Sequence, residues 1–144
     1  MKIIDEYKRV TEDIAVIKSQ LQRARRNLDK NVNIYKPSDL KGIDYSQERV
    51  QSSNNQPNIM EIAVKICSYK LSIDDLHKEL DSLYKQRAEL EKTINELGDL
   101  KKQILMLQIK GYQQWKIARE LHYSQRWIEK ICSEIRKECG NSTV

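Results

Sequence analysis

The sequence predicts an all-α protein, a long antiparallel helical hairpin of coiled-coil type followed by a small C-terminal helix-turn-helix unit. Glycine and proline are scarce, with four and two residues among 144, which favours helix nearly throughout the chain. Two long segments place apolar residues in a 4-3 alternation, and a third segment carries short apolar faces separated by turn residues. We therefore expect two domains, residues 1–97 and residues 98–144.

The first long helix is predicted from Ile3 to about Asn31. Its apolar or borderline positions alternate by four and three residues, the heptad spacing of a helix that packs along one partner helix. These positions are Ile3, Tyr7, Val10, Ile14, Ile17, Leu21, Ala24, Leu28, Asn31 and Tyr35.

The second long helix is predicted from Asn58 to Leu97, with an end or kink at Gly98. Its seam has the same spacing and is interrupted once, by Arg87: Ile62, Ile66, Tyr69, Ile73, Leu76, Leu80, Leu83, Arg87, Leu90, Ile94 and Leu97.

Residues 33–57 break the periodicity with proline, glycine and a polar run, and they predict a long loop. Two seams joined by one loop fold back most simply as a hairpin. The apolar surface of the two helices that the hairpin does not cover predicts a homodimer.

Residues 103–137 predict three short helices that close one small core. Gly111 suits the left-handed conformation after a helix end, and Ser124 can cap the third helix. Ala118 allows the next helix to cross closely. The apolar faces are Ile104, Leu105, Leu107 and Ile109 in the first helix, Ile117, Ala118 and Leu121 in the second, and Ile128, Ile131, Cys132 and Ile135 in the third.

The outer face of the predicted third helix is rich in hydrogen-bond donors. At about 100° per residue, Arg126, Lys130, Ser133 and Lys137 lie opposite the apolar residues. Such side chains bind phosphates and the edges of guanine and adenine in the major groove, so we expect this unit to bind double-stranded DNA. The predicted DNA-binding residues are Gln113, Lys116, Ser124, Gln125, Arg126, Glu129, Lys130, Ser133 and Lys137.

Positive charge is concentrated in the same unit. Residues 98–144 carry nine Lys or Arg against five Asp or Glu, whereas residues 58–97 carry six against eight. Any surface helix is polar on its outer side, but the charge, the cap and the two preceding helices together favour DNA binding. A second basic cluster, Arg23, Arg25, Arg26 and Lys30, either compensates the dipole of the first helix or contacts the DNA backbone.

The segment GYQQWKIARELHYSQRWI resembles region four of bacterial sigma factors, whose pattern is G-x-S-x-x-E-I-A-x-x-L-G-x-S-x-x-T-V. The matching positions are Gly111, Ile117, Ala118, Leu121, Ser124 and Ile128. Gln113, Lys116, His122 and Trp127 replace its Ser, Glu, Gly and Thr, so no promoter preference is carried over. His122 suits the turn, because histidine is enriched at positive φ among non-glycine residues.

With its helical front half and the segment LKGIDYSQERVQSSN, the whole chain resembles phage-encoded sigma-like regulators of the ArpU and RinA type. The resemblance implies a transcriptional regulator encoded by a phage or prophage, with RNA polymerase as a further candidate partner.

We expect no enzymatic activity, cofactor or metal. Cys67, Cys132 and Cys139 lack the spacing of a metal site, and the chain has only two histidines. The carboxylates Asp74, Asp75, Glu89 and Glu91 fall on charged helix surfaces, and no glycine-rich phosphate loop occurs. The N-terminal MKIIDEYKRV is acidic where a signal peptide would be apolar, and no apolar run approaches membrane-spanning length. A reducing bacterial cytoplasm, without membrane association, fits this composition.

Two other functions fit the same pattern. A small terminase subunit for phage DNA packaging also joins a helix-turn-helix to coiled-coil helices, and it would form a ring of roughly eight or more subunits. A coiled-coil adaptor whose C-terminal unit binds protein would have no salt-dependent affinity for DNA.

Overall fold

The structure is a computed structural model that describes residues 1–35 and 59–140. Within these ranges the chain forms helices α1 (Lys2–Tyr35), α2 (Ile59–Glu96), α3 (Asp99–Ile109), α4 (Gln114–Glu120) and α5 (Gln125–Gly140). The predicted all-α fold is confirmed, and α1 and α2 pack closely as a hairpin. α1 extends past Asn31, the predicted end, to Tyr35. The rest of the predicted loop, residues 36–57, lies outside the described residues.

By its internal contacts the chain divides into two compact units. The larger unit combines Met1–Val16 with Leu80–Val144, and the smaller unit is Ile17–Glu79. Each unit therefore holds one part of α1 and one part of α2, and the larger unit also holds α3, α4 and α5.

The 4-3 seams are the inner faces of α1 and α2. Val10, Ile14, Ile17 and Leu21 are each at most 7% exposed. Every seam position of α2 from Ile62 to Leu97 is buried or half-buried. The heptad pattern thus identified the packed face of both helices, because an apolar stripe every 3.5 residues follows one partner helix.

Polar contacts join α1 to α2 in an antiparallel sense within each unit. In the larger unit the Tyr7 hydroxyl donates to the Glu91 carboxylate at 3.2 Å. In the smaller unit the Arg25 guanidinium lies 3.2 Å from the His77 imidazole.

Arg87, the one charged residue in the α2 seam, is accommodated by neighbouring side chains. Its Nε donates to the Glu91 carboxylate at 2.9 Å, and its guanidinium lies 5.6 Å from the centre of the Tyr7 ring. The hydrogen bond to Glu91 raises the pKa of Arg87 above its ordinary value. A half-buried arginine with these partners keeps its charge solvated by protein groups.

The core of the larger unit extends beyond the three C-terminal helices. Ile104, Ile117 and Ile128 are fully buried. Residues from the hairpin lie in the same cluster, namely Ile3, Ile4 and Ile94. The core therefore crosses the boundary that the sequence predicted between residues 97 and 98.

Candidate nucleic-acid interface

The turn between α4 and α5 fixes where the candidate DNA-contacting helix begins. His122 has a φ of 57°, the left-handed conformation expected at this position. The Tyr123 amide closes the turn by donating to the Ala118 carbonyl at 3.0 Å. Ser124 then accepts a hydrogen bond from the Trp127 amide at 3.3 Å, as predicted for the cap of the third helix.

The turn between α3 and α4 depends on Gly111. Its φ of 87° lies in the region that side chains with a Cβ rarely adopt. The Tyr112 amide donates to the Leu107 carbonyl at 3.0 Å and so satisfies one of the last carbonyls of α3. The predicted end of the first short helix at this glycine is confirmed.

The inner face of α5 packs against α3 and α4. Ile128, Cys132 and Ile135 are at most 1% exposed, and Ile131 is half-buried. The Gln108 side-chain amide of α3 donates to the Cys132 sulfur at 3.2 Å. Burial raises the pKa of the Cys132 thiol, so at neutral pH this cysteine is a small, neutral core residue. Its predicted role as core is confirmed.

The outer face of α5 presents the predicted donors to solvent. Arg126, Lys130, Ser133 and Lys137 are all exposed, and the three cations among them form no ion pair within residues 1–35 and 59–140. Their spacing of four, three and four residues aligns them along one side of the helix. The structure thus leaves one cationic stripe available to a polyanion.

Two further predicted residues, Gln125 and Glu129, flank this stripe and bind each other. The Gln125 amide donates to the Glu129 carboxylate at 3.1 Å, and both side chains are exposed. The Gln125 carbonyl oxygen and its second N–H group stay free for a base edge, and the Glu129 carboxylate repels phosphate.

The two predicted residues that precede or open α4 are engaged with aromatic rings. The Gln113 carbonyl accepts a hydrogen bond from the Trp115 indole N–H at 2.9 Å. The Lys116 ammonium lies 4.1 Å from the centre of the Tyr112 ring, within cation–π distance. Both side chains remain exposed, so they are positioned without being withdrawn from solvent.

Three aromatic residues near these positions, two of them exposed, were not among the predicted site residues. Tyr123 and Trp127 stack with ring centres 4.2 Å apart and planes 21° apart. Trp115 is 55% exposed, and Arg119 follows it by one helical turn. Four of the nine aromatic residues fall between residues 112 and 127, and this local enrichment is the sequence feature that could have identified them.

A salt bridge ties α3 to the C-terminal half of α5. The Lys101 ammonium donates to the Glu138 carboxylate and lies 3.9 Å from Glu134. The hydrogen bond to Glu138 raises the pKa of Lys101. Lys101 thus compensates the charge of two acidic residues that flank the cationic stripe of α5.

The second basic cluster belongs to the smaller unit. Arg23, Arg26 and Lys30 are exposed, and Arg25 is bound to His77. Its proposed contact to the DNA backbone stays a prediction.

Neither a candidate metal site nor a membrane-spanning helix occurs in the described parts of the chain. No group of three or more His, Cys, Asp or Glu there could hold a metal ion. None of the described helices combines the length and apolarity needed to cross a membrane.

No protein-family model, curated protein or solved structure matches the chain.

Proposed function

We propose that the protein is a sequence-specific, double-stranded DNA-binding regulator of transcription, with α5 as the helix that enters the major groove. The observation that carries this proposal is the two-sided character of α5. One side is an apolar face on which Ile128, Cys132 and Ile135 are buried, and the other is the exposed stripe Arg126, Lys130, Ser133 and Lys137. A recognition helix needs both, because it must be held rigidly by the protein while it contacts DNA.

The chemistry of the stripe divides between backbone and base contacts. Arg126 lies in the first turn of α5, and the N-terminal residues of a recognition helix are those that reach base edges. Its guanidinium can bind guanine O6 and N7 in bidentate fashion, and Gln125 can bind adenine. Lys130, Lys137 and, from the start of α4, Lys116 supply ammonium groups for phosphates.

The transcriptional part of the proposal rests on the resemblance to sigma factor region four and to phage-encoded regulators. Phage or prophage origin, contact with RNA polymerase and a homodimeric state belong to the same proposal. A dimer would present two copies of α5 to two half-sites, and the second contact would then gain from a raised effective concentration.

The test begins with selection of bound sites from random duplex DNA by the full-length protein. Affinity for a selected site is then measured over a series of salt concentrations. We expect the logarithm of the association constant to fall linearly with the logarithm of salt, since each neutralised phosphate releases condensed counterions. An affinity that does not change with salt, or selection that enriches no site, would contradict the proposal.

Matched double variants locate the contact. Arg126→Ala with Lys130→Ala should weaken binding at least tenfold, relax the base preference that Arg126 confers, and reduce the salt slope by about one for the loss of Lys130 at a phosphate. Lys85→Ala with Lys92→Ala removes the same charge from exposed positions of α2 and should change the affinity little. Equal losses of DNA affinity in the two variants would indicate a non-specific effect of net charge. A separate measurement, the mass of the free protein, distinguishes a dimer from a packaging ring.

A further inference from the structure

α2 carries a second apolar stripe, which is distinct from the seam that packs against α1. Met60, Val64, Cys67 and Leu71 repeat the 4-3 spacing on its N-terminal part, in the smaller unit. Val64 and Leu71 are 67% and 66% exposed, and Cys67 is exposed as well. Ala63 and Ser68, both small, flank the stripe. Exposed leucine and valine at heptad spacing indicate a helix face that fits another helix.

The heptad register places this stripe on the side of α2 opposite α1. With Cys67 at position d, Val64 and Leu71 occupy a positions. The α1-facing residues Ile66 and Tyr69 then occupy c and f positions, on the far side of the helix. One helix therefore has two coiled-coil faces, and the α1 hairpin uses only one of them.

Charges beside the stripe are complementary to those of a second copy in one orientation. In the same register Lys70 is a g position and Asp75 is the following e position. Both side chains are exposed, and neither forms an ion pair in the part of the chain that the structure describes. In a parallel pair of helices each g residue faces the next e residue of the other helix, so Lys70 meets the partner's Asp75 twice by symmetry.

The antiparallel alternative lacks this complementarity. There g positions face g positions, and Lys70 would lie opposite the partner's Ala63 without a counter-charge. Asp74 occupies the next d position and ends the stripe, so the pairing surface is short.

We propose that two copies of this chain associate in parallel through the a and d positions Val64, Cys67 and Leu71 of α2, with Lys70 of each chain bound to the partner's Asp75. The inference rests on the self-association in the proposed function and is independent of DNA binding. It places the subunit contact on the outer face of α2 and not along the α1–α2 seam.

The parallel arrangement brings the two Cys67 side chains face to face at one d layer, which gives a direct assay. Full-length protein with Cys139→Ser is treated with a mild oxidant at micromolar concentration and examined on a non-reducing gel. We expect a disulfide-linked dimer that disappears in the Cys67→Ser variant. A protein that stays monomeric and forms no disulfide through Cys67 would overturn the proposal.

Sedimentation without oxidant tests the apolar contact. Leu71→Lys should shift the protein from dimer to monomer, because two ammonium groups would meet at one a layer. Val16→Lys makes the same kind of change at a 53% exposed position of α1 and should leave the dimer intact. A dimer that survives Leu71→Lys would show that the chains meet elsewhere. A wild-type monomer at all accessible concentrations would contradict self-association itself.

Charge reversal tests the orientation. Lys70→Glu alone should weaken the dimer, since it places carboxylates at both ion-pair sites. Combining it with Asp75→Lys should restore association to the wild-type level. A double variant that stays as weak as the single variant would exclude the parallel register.

Discussion

The Ser124 hydroxyl accepts a hydrogen bond from the Trp127 amide at 3.3 Å and so caps the first turn of α5. The same residue stands at a matching position of the sigma-like pattern and was predicted to contact DNA. Its hydroxyl therefore stabilises the first turn of the candidate recognition helix. The stability of α5 and the proposed DNA contact therefore involve the same residue.

Ser124→Ala should lower the free energy of unfolding by about 1 kcal/mol, because one amide of the first turn loses its partner. Thermal or urea unfolding followed by far-UV circular dichroism measures the change. Ser133→Ala is the matched control, since Ser133 is exposed in the middle of α5 and its loss should change stability by less than about 0.5 kcal/mol. Equal effects of the two variants would mean that the cap contributes nothing.

Ile94→Ala should lower the stability of the C-terminal helices, although Ile94 lies on α2. Ile94 is 2% exposed and lies in one cluster with Ile104 and Ile128, so truncation leaves a cavity and should cost about 2–5 kcal/mol. The fluorescence of Trp115 and Trp127, the two tryptophans of the chain, reports this unit directly. Val16→Ala, at an exposed position, is the control. An unchanged fluorescence transition would indicate that residues 98–144 form an independent core.

The cysteines should differ in reactivity toward a thiol reagent. Burial raises the pKa of both Cys132 and Cys139, so near neutral pH less of each thiol is in the reactive thiolate form. Cys132 is also 1% exposed, whereas Cys67 is exposed. We expect labelling in the order Cys67, Cys139, Cys132, measured by mass spectrometry of peptides at increasing times. Rapid labelling of Cys132 in the folded protein would contradict the packing of α5.

Leu76→Lys should destabilise the hairpin of the smaller unit. Leu76 is a half-buried seam residue, and an ammonium group there loses part of its hydration, at a cost of about 1–3 kcal/mol. Leu71→Lys, at an outer position of the same helix, should change the stability of the monomer little. Urea unfolding at low protein concentration compares the two variants. A Leu76→Lys protein of unchanged stability that no longer dimerises would place the subunit contact on the α1–α2 seam.

Local order was predictable from the sequence because each signal acts within a few residues. The heptad spacing of Val10, Ile14 and Ile17 identified the packed face of α1 without knowledge of its partner. Gly111 and His122 predicted the two turns, since few residues other than glycine tolerate positive φ. The opposition of Ile128 to Arg126 and Lys130 followed from helical geometry alone.

Only the tertiary structure determined which distant segments share a core and which surfaces remain exposed. Periodicity indicates that a face is apolar, but it does not identify what covers that face. For this reason the sequence placed a boundary after Leu97, whereas Ile3 and Ile94 pack with α3, α4 and α5. For the same reason the periodicity did not indicate that the stripe at Val64 and Leu71 is exposed, whereas the stronger seam of α2 is covered. Which segment covers an apolar face depends on the chain topology. That topology is set by contacts between residues far apart in sequence.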